Sequence, residues 1–354
     1  MRTDDFTFDL PEHLIAQHPP AQRGQSRLMV MDRKTGRREH RMVSDLPSII
    51  KPGTLMVFNN SRVRRARVTG ISVEGGAQSE FLLVKRLDEF CWQAMVKRAS
   101  RRKPGSRYVF PGSGGEEVSA GHIDGPGPEG TITLRFDRPI DDSWLDIHGQ
   151  VPLPPYIKRP GSRASSPGDI ERYQTVYASE HGSAAAPTAG LHFTEEILSR
   201  LERAGIESVF ITLHVGMGTF VPVRTETVED HSMHEESFHL NDDAARRVEK
   251  AKAEGRAVLA VGTTSVRALE AAWVTDSNGC GRLRRGDGST SIFIYPGYEF
   301  KAVDAMFTNF HTPGSTLIMM VAAFAGREFI LESYGEAVRE GYRFFSYGDA
   351  CLML

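Results

Sequence analysis

Residues 64–138 contain several short β-type runs with no helical periodicity, and this stretch constrains the fold more than any other part of the sequence. Turn-forming pairs such as Gly75-Gly76 and Pro104-Gly105 separate the runs. Closely spaced strands without helices are typical of a small barrel or a curled sheet. The predicted strands are Ala66–Ser72, Glu80–Lys85, Cys91–Val96, Arg107–Phe110 and Thr131–Phe136.

Strands and helices alternate in the rest of the chain, where helix caps are clear, such as Asn241 before Asp242–Glu254. The simplest architecture is a large, discontinuous, mixed α/β domain made of residues 1–62 and 151–354. A smaller β-barrel domain is then inserted at residues 63–150. The other predicted strands are Arg27–Met31, Thr54–Phe58, Ile206–Leu213, Ala257–Val261 and Val303–Asn309, and the other predicted helices are Thr194–Ala204, Thr316–Phe324 and Arg327–Arg339.

Four polar, glycine-bearing loops adjoin these elements. One precedes the helix that Thr194 is predicted to cap, and the other three follow predicted strands. Ligands of α/β proteins lie where loops leave the carboxyl ends of strands, so we expect the four loops to form one composite site. The loops are Pro187–Phe193, His214–Phe220, Gly262–Arg267 and Phe310–Ser315.

The residues of these loops resemble motifs of the S-adenosylmethionine:tRNA ribosyltransferase-isomerases, enzymes of the queuosine modification pathway. The resemblance covers nearly the whole chain, and it implies a large mixed α/β domain of barrel-like form with an inserted β-barrel. The clearest departure is Gly314, where the family more often has a basic or other residue. The matching segments are FDLPEHLIAQHP, FNNSRV, VPLPPYIKR, APTAGLHFT, LHVGMGTFVPV, VGTTSVRALE, TNFHTPGS and SYGDA.

The resemblance implies that S-adenosylmethionine is a ribosyl donor, consumed as a co-substrate, and that the acceptor is 7-aminomethyl-7-deazaguanine at the wobble position of tRNA. The products would be epoxyqueuosine-tRNA, adenine and methionine. A base must remove the proton that the sulfonium acidifies, and adenine must be assisted as it leaves. Histidine suits such proton transfers, so His192, His214 and His311 are the predicted catalytic residues, with the roles of base and acid left open.

The substrate-binding residues are predicted in the same loops. Arg267 has two interpretations, as the partner of an anion held at the helix start near Thr264, or as a tie between that helix and its neighbours. Asn59-Asn60-Ser61 is either a turn or part of an interdomain cleft. The predicted substrate-binding set is Thr188, Gly190, Phe193, Gly216, Gly218, Thr263, Thr264, Arg267 and Asn309.

Two clusters of basic residues predict a phosphate-binding face for tRNA, although either cluster alone would be typical of a solvated surface. The resemblance implies tRNAs with a GUN anticodon, which are those for Asp, Asn, His and Tyr. The predicted tRNA-binding residues are Arg62, Arg64, Arg65, Arg67, Lys97, Arg98, Arg101 and Arg102, and Lys103 and Arg107 extend the second cluster.

Bulk properties narrow the class of protein further. A formal net charge of −2 argues against indiscriminate nucleic-acid binding, and no apolar run is long enough to span a membrane. Three widely spaced cysteines, Cys91, Cys280 and Cys351, fit a reducing compartment. We therefore expect a cytoplasmic, monomeric enzyme with no obligatory protein partner.

Two other functions compete with this interpretation. The histidines of His231–His239 could hold a metal in a hydrolase if the segment were a helix with His231 and His234 on one face, but it could equally be an extended strand. The basic clusters could instead belong to a noncatalytic RNA-binding protein. We expect no metal, because the chain has no ligand set better than these histidines.

Pro160–Asp169 is predicted to be a surface loop.

Overall fold

A computed structural model describes residues 1–111, 117–122, 130–159, 167–216, 223–276 and 281–354 of the protein. It contains a large mixed sheet flanked by helices and a separate closed barrel of six strands. The predicted fold class, a mixed α/β domain with a smaller β-barrel, is confirmed. The domain limits at residues 63 and 150 stay a prediction.

The large sheet has nine strands in the described part of the chain. They are β1 Arg27–Met31, β2 Arg38–Met42, β3 Leu55–Asn59, β12 Glu207–Leu213, β13 Glu236–Leu240, β14 Val258–Val261, β17 Gly286–Thr290, β18 Ala305–Asn309 and β19 Ala350–Met353. Their spatial order is β17-β13-β12-β3-β14-β18-β19-β1-β2, so β17 and β2 are the edges. The central strands β12, β3, β14 and β18 are mutually parallel. Every residue of β3, β14 and β18 is buried, as expected for strands covered on both faces.

Six strands form the barrel. They are β5 Arg67–Ser72, β6 Gln78–Arg86, β7 Cys91–Val96, β8 Arg107–Pro111, β9 Glu117–His122 and β10 Thr131–Phe136. The barrel closes in the order β10-β7-β6-β5-β8-β9, around a core of its own that includes Trp92, Phe110 and Phe136. The sequence predicted five of these strands and missed β9, which has little β-forming character and owes its conformation to pairing with β8 and β10.

Two small sheets complete the strands. β4 (Ser61–Val63) pairs in parallel with β11 (Glu180–Ser183), directly before the chain enters the barrel. β15 (Trp273–Thr275) pairs with β16 (Gly281–Leu283).

The helices begin largely where the sequence predicted. Thr194 and Asn241 both cap their helices through side-chain oxygens, which accept bonds from Ile197 N and Ala244 N. The prediction of a loop for Pro160–Asp169 is wrong at its end, since Pro167–Asp169 begin a helix; residues 160–166 lie outside the described residues. The helices are α1 Leu46–Ile49, α2 Asp142–His148, α3 Pro167–Arg172, α4 Glu195–Arg203, α5 Asp242–Ala253, α6 Thr263–Ala272, α7 Thr316–Ala325 and α8 Arg327–Arg339.

Helix α3 is fixed by a buried ion pair, which explains why polar sequence there does not form a loop. Arg159 donates two hydrogen bonds to Asp169, at 2.9 and 2.6 Å, and both side chains are less than a tenth exposed.

None of the helices in the described ranges has the length and apolar character needed to cross a bilayer.

Candidate functional site

The carboxyl ends of the four parallel strands meet at one edge of the large sheet. Asn59 ends β3 and Asn309 ends β18, while His214 and Gly262 directly follow β12 and β14. Three of the four predicted loops, those after β12, β14 and β18, therefore leave the sheet at the same edge.

A cavity of about 310 Å³ lies among these loops, which is the size of a small-molecule site. None of the described residues that line it is Asp, Glu, Lys or Arg, so its polar character comes from hydroxyl, amide, imidazole and backbone groups. The lining segments are 155–156, 185–189, 215, 262–264, 308–317 and 345–346.

Asn309 is fixed in this cavity by three side-chain hydrogen bonds. Its Nδ2 lies 2.9 Å from Nε2 of His192 and donates to the carbonyl of Phe345 at 3.1 Å. Its Oδ1 accepts a hydrogen bond from the hydroxyl of Thr188 at 3.2 Å. Asn309 and Thr188 both line the cavity, whereas His192 lies behind them.

His192 is buried and has partners at both ring nitrogens. Nδ1 lies 2.9 Å from the hydroxyl of Ser26, which precedes β1 at the same edge of the sheet. Burial, with smaller effects of the positive charges of Arg343 and Arg23, lowers the pKa of His192 to about 3. This histidine is therefore neutral at physiological pH.

His311 is the predicted catalytic histidine that lines the cavity. Its Nε2 lies 3.1 Å from the hydroxyl of Thr308, and the residue is 7% exposed. Burial lowers the pKa of His311 to about 3, so its imidazole is also neutral near pH 7. A neutral imidazole at this position can donate a hydrogen bond to a molecule in the cavity or accept one from it.

Two helices begin at the cavity wall. Gly262, at φ +88°, precedes α6, and Ser315 caps α7 by accepting a hydrogen bond from Ile318 N at 3.3 Å. The first backbone N–H groups of a helix have no partner within it, and they favour negatively charged or electron-rich groups.

Asn59 holds the start of α6 against β12. Its Nδ2 donates to Leu213 O at 2.9 Å and to the Thr264 hydroxyl at 3.2 Å, while its Oδ1 accepts from Leu213 N at 3.1 Å. Of the two interpretations of Asn59-Asn60-Ser61, the turn is visible in part, since Ser61 N donates to Asn59 Oδ1 at 3.0 Å. Asn59 does more than close this turn. It is a buried bridge between two strands and a cavity-lining helix.

An aromatic pair forms another part of the wall. The rings of Tyr156 and Phe345 have centroids 4.7 Å apart at 55°, and the Tyr156 hydroxyl lies 2.5 Å from that of Ser346. Phe345 has φ +72°, which is uncommon for a residue with a side chain and is found preferentially at functional sites. The side chain of Asn309 and the amide of Gly348 bond to Phe345 O and stabilise this conformation.

The structure does not bring His214 to the cavity. The chain direction after β12 puts Val215 on the cavity wall, and the His214 ring lies instead against Gly182. Burial, followed by the positive charge of Arg64, lowers the pKa of His214, and Glu180 opposes this shift. Of the three predicted catalytic histidines, only His311 therefore lines the cavity that the predicted loops form.

Gly190 and Phe193 have packing roles, although both belong to a predicted binding loop. A Cβ at Gly190 would overlap the Tyr177 hydroxyl and lie 2.7 Å from a methyl group of Thr175. Phe193 is fully buried and packs edge-on against Phe58 and Phe307. Neither residue lines the cavity, in contrast to Thr188, Thr263, Thr264, Asn309 and His311.

Arg267 ties α6 to β13 instead of lining the cavity. It forms a buried ion pair with Glu236, whose other oxygen accepts the backbone N–H of Gly216 at 2.9 Å. Of its two predicted interpretations, the tie between helix and neighbour is the one with a visible partner. Gly216 is thereby also engaged in the scaffold, and Gly218 lies outside the described residues.

The first basic cluster is engaged within the protein. Arg64 pairs with Asp142 and Arg65 with the backbone of Asp146, both on α2, while Arg67 donates to Leu153 O at 3.0 Å. These three arginines hold the barrel against its flanking segments, which weakens their assignment to tRNA. Arg62, the fourth, is partly exposed in β4.

The second basic cluster is different. Lys97, Arg98 and Arg107 are exposed around the connection between β7 and β8. Arg102 is partly exposed and donates to the Ser79 hydroxyl at 2.9 Å. Arg98 has φ +56°. The side chain of Arg101 is outside the described set.

The histidines of His231–His239 do not form a helix, since Glu236–Leu240 is strand β13. His239 pairs with Asp287 at 2.7 Å, and the His231 ring contacts Phe293. Within the described ranges, no group of three or more His, Cys, Asp or Glu side chains is placed to hold a metal ion.

Sequence reasoning missed Tyr156, Phe345 and Ser346 as cavity residues. Tyr156 belongs to the VPLPPYIKR segment and Ser346 to SYGDA, so the matching motifs contained the signal. Their loops follow no predicted strand of the central sheet. The expectation that ligands bind at the carboxyl ends of strands therefore did not identify them.

Known proteins of one family match this chain along nearly its whole length. The family described as "Queuosine biosynthesis protein" matches residues 3–353. A Treponema denticola protein named S-adenosylmethionine:tRNA ribosyltransferase-isomerase is 50% identical over 357 residues, and one of that name from Clostridioides difficile is 46% identical over 354; each match covers 100% of both chains. The crystal structure of S-adenosylmethionine tRNA ribosyltransferase from Thermotoga maritima is 35% identical, with a TM-score of 0.55, and the match covers 99% of this chain and 100% of that one.

Proposed function

Because the chain belongs to the queuosine biosynthesis protein family, we propose that it is an S-adenosylmethionine:tRNA ribosyltransferase-isomerase. It transfers the ribosyl moiety of S-adenosylmethionine to 7-aminomethyl-7-deazaguanine at the tRNA wobble position and isomerises it. The products are epoxyqueuosine-tRNA, adenine and methionine. The acceptors are the tRNAs with a GUN anticodon.

The cavity at the strand ends is the observation that carries this proposal. Its volume of about 310 Å³ suits a nucleoside-sized molecule. Thr188, Asn309 and His311 offer directional hydrogen bonds to a base or a ribose. The starts of α6 and α7 supply backbone N–H groups for the carboxylate of the methionine part.

The aromatic pair Tyr156 and Phe345 is proposed to contact the sulfonium. None of the described cavity-lining side chains is a carboxylate, so aromatic faces are the available partners for a positive charge. A sulfonium has no N–H or O–H to donate, so the electrostatic attraction of an aromatic face suits it. Hydrogen bonds to Phe345 O hold its left-handed backbone conformation, and with it the ring, at this wall.

His311 is proposed as the catalytic residue in contact with the reacting part of the substrate. Its imidazole is neutral and partly held by Thr308, and its Nδ1 has no hydrogen-bond partner among the described residues. In this state it can take up a proton or direct a hydrogen bond to the departing adenine. His214 lies outside the cavity, where the charge of Arg64 acts on it, and it is not proposed to contact the reacting atoms.

The barrel is proposed to bind the tRNA backbone. Lys97, Arg98 and Arg107 present positive charge to solvent, while the first arginine cluster serves mainly to hold the barrel in place. Phosphate contacts position a nucleic acid without reading its sequence. The large domain around the cavity is then proposed to recognise the anticodon.

The decisive experiment is incubation of the protein with S-adenosylmethionine and tRNA carrying the aminomethyl precursor base. We expect release of adenine and methionine together with a mass increase of the tRNA. tRNA binding without adenine release would favour a noncatalytic RNA-binding protein. Hydrolysis that depends on stoichiometric zinc would favour a metal-dependent hydrolase.

His311→Gln and His311→Ala complete this test. We expect adenine release to fall by about 10²–10⁴-fold in both variants, since each lacks a proton-transfer group. Thermal unfolding separates this loss from loss of folding.

A further inference from the structure

We propose that His192 is a positioning residue that acts through Asn309, as a neutral imidazole with its proton on Nδ1, and that it is not a base for the substrate. The kinetic test of this inference rests on the proposed function. The spectroscopic test concerns only the hydrogen bonds between Ser26, His192 and Asn309.

The orientation of Asn309 follows from its partners. The carbonyl oxygen of Phe345 can only accept, so the atom 3.1 Å from it must be the amide nitrogen of Asn309. The hydroxyl of Thr188 then donates to the opposite atom, Oδ1, at 3.2 Å. The amide cannot be rotated by 180° without losing the first of these hydrogen bonds.

The tautomer of His192 follows from that orientation. One N–H of the Asn309 amide is directed at Phe345 O, and the second is directed at Nε2 of His192, 2.9 Å away. Nε2 must therefore accept and carry no proton. The proton of the neutral ring is on Nδ1, which donates to the hydroxyl of Ser26 at 2.9 Å.

Both nitrogens of His192 are thus occupied, and neither is available to a substrate. The residue is 4% exposed and does not line the cavity, from which Asn309 and Thr188 separate it.

Asn309 is the group that reaches the cavity. Its two N–H groups are used, and one lone pair of Oδ1 accepts from Thr188. The second lone pair can accept from an N–H or O–H of a bound molecule. Phe345 O decides which way the amide faces, and His192 Nε2, by accepting the second N–H, helps to hold the amide with its acceptor oxygen towards the substrate.

Substitution by glutamine separates positioning from proton transfer. The amide oxygen of His192→Gln can replace Nε2 as acceptor for Asn309, but an amide is not a base. We expect His192→Gln to keep adenine release within about tenfold of the wild type, whereas His192→Ala loses more, with a higher KM for S-adenosylmethionine and unchanged tRNA binding. His40→Gln, at an exposed histidine bonded to Tyr342 and Glu336, is the matched control.

The tautomer is measured on the wild-type protein by ¹⁵N NMR of its 12 histidines. The His192 resonances are identified by their absence in His192→Gln and by their displacement in Ser26→Ala, which removes the acceptor at Nδ1. We expect a proton on Nδ1, none on Nε2, and no titration from pH 5 to pH 8, consistent with burial.

Three results would overturn the inference. The first is a proton on Nε2, the second is titration of His192 within that pH range, and the third is a folded His192→Gln as inactive as His192→Ala. Absence of adenine release by the wild type would instead refute the proposed function, and the tautomer would still be decided by NMR.

Discussion

Arg267 and Glu236 form an ion pair in which the two side chains are only 5% and 3% exposed. The pair joins α6, which begins at the cavity, to β13, two strands away from β3 in the sheet. Glu236 also holds Gly216 N, so one carboxylate connects the helix to the loop after β12. The packing around the cavity thus depends on a buried charge pair outside it.

Removal of Arg267 should destabilise the protein strongly. Arg267→Ala leaves Glu236 as a buried carboxylate without its counter-charge, which typically costs about 3–5 kcal/mol. The double variant Glu236→Gln, Arg267→Met should recover part of this loss, because no isolated charge remains. Urea unfolding of the wild type and both variants provides the measurement, and an Arg267→Ala variant of normal stability would show that the ion pair does not stabilise the fold.

Gly190 should tolerate no larger residue while Tyr177 keeps its hydroxyl. We expect Gly190→Ala to lose about 1–3 kcal/mol of stability, as is typical of overpacked sites. Tyr177→Phe should partly restore it, because it removes the atom nearest to the new methyl group. Thermal unfolding of the single and double variants tests this; additive effects would contradict the contact.

The buried histidines should make the protein less stable in acid. His192 and His311 have a pKa of about 3 when folded, against about 6.5 for an unfolded histidine. Below pH 6.5 these histidines bind more protons in the unfolded chain than in the folded protein. Their contribution to the free energy of unfolding is therefore fully present above pH 6.5 and is lost as the pH falls towards 3. Each histidine contributes a slope of about 1.4 kcal/mol per pH unit in this window.

Replacement of either histidine by glutamine should remove its share of that slope. Urea unfolding between pH 7.5 and pH 4.5 measures it, with His13→Gln at an exposed position as the matched control. An unchanged slope in both His192→Gln and His311→Gln would mean that neither side chain is held neutral.

Neutralisation of the exposed barrel cations should weaken tRNA binding. For the triple variant Lys97→Gln, Arg98→Gln, Arg107→Gln we expect a lower affinity and a salt slope smaller by about one per lost phosphate contact. Stability should be nearly unchanged, because these side chains are exposed. Binding is measured by filter retention over a salt series.

A matched control lies on the large domain, where Arg203, Arg246 and Lys250 are exposed on α4 and α5. Their replacement by glutamine changes the net charge equally and should leave the salt slope unchanged. Equal losses in both triple variants would mean that net charge, and not the barrel loop, governs binding.

Chelation should leave the activity intact. The expectation comes from the chemistry, which needs proton transfer and a positioned sulfonium but no Lewis acid. Adenine release is measured after dialysis against a chelator. Loss of activity that zinc alone restores would contradict it.

The sequence by itself determined the elements and the order of the loops. Turn residues and β-type runs between residues 64 and 138 predicted the barrel, and helix caps at Thr194 and Asn241 predicted helix starts. The parallel strands then required their following loops to share one edge, since carboxyl ends of parallel strands lie together. These features are local in sequence, or follow from strand direction.

Only the tertiary structure decided which polar side chains face the cavity. His192, His214 and His311 look alike in sequence, because each lies in a loop beside a regular element. Their surroundings come from distant segments: Ser26 and Asn309 enclose His192, Gly182 lies against His214, and Thr308 holds His311 at the wall. Burial and hydrogen bonding depend on these long-range neighbours, which a loop motif does not encode, and so packing decided the surroundings of each histidine.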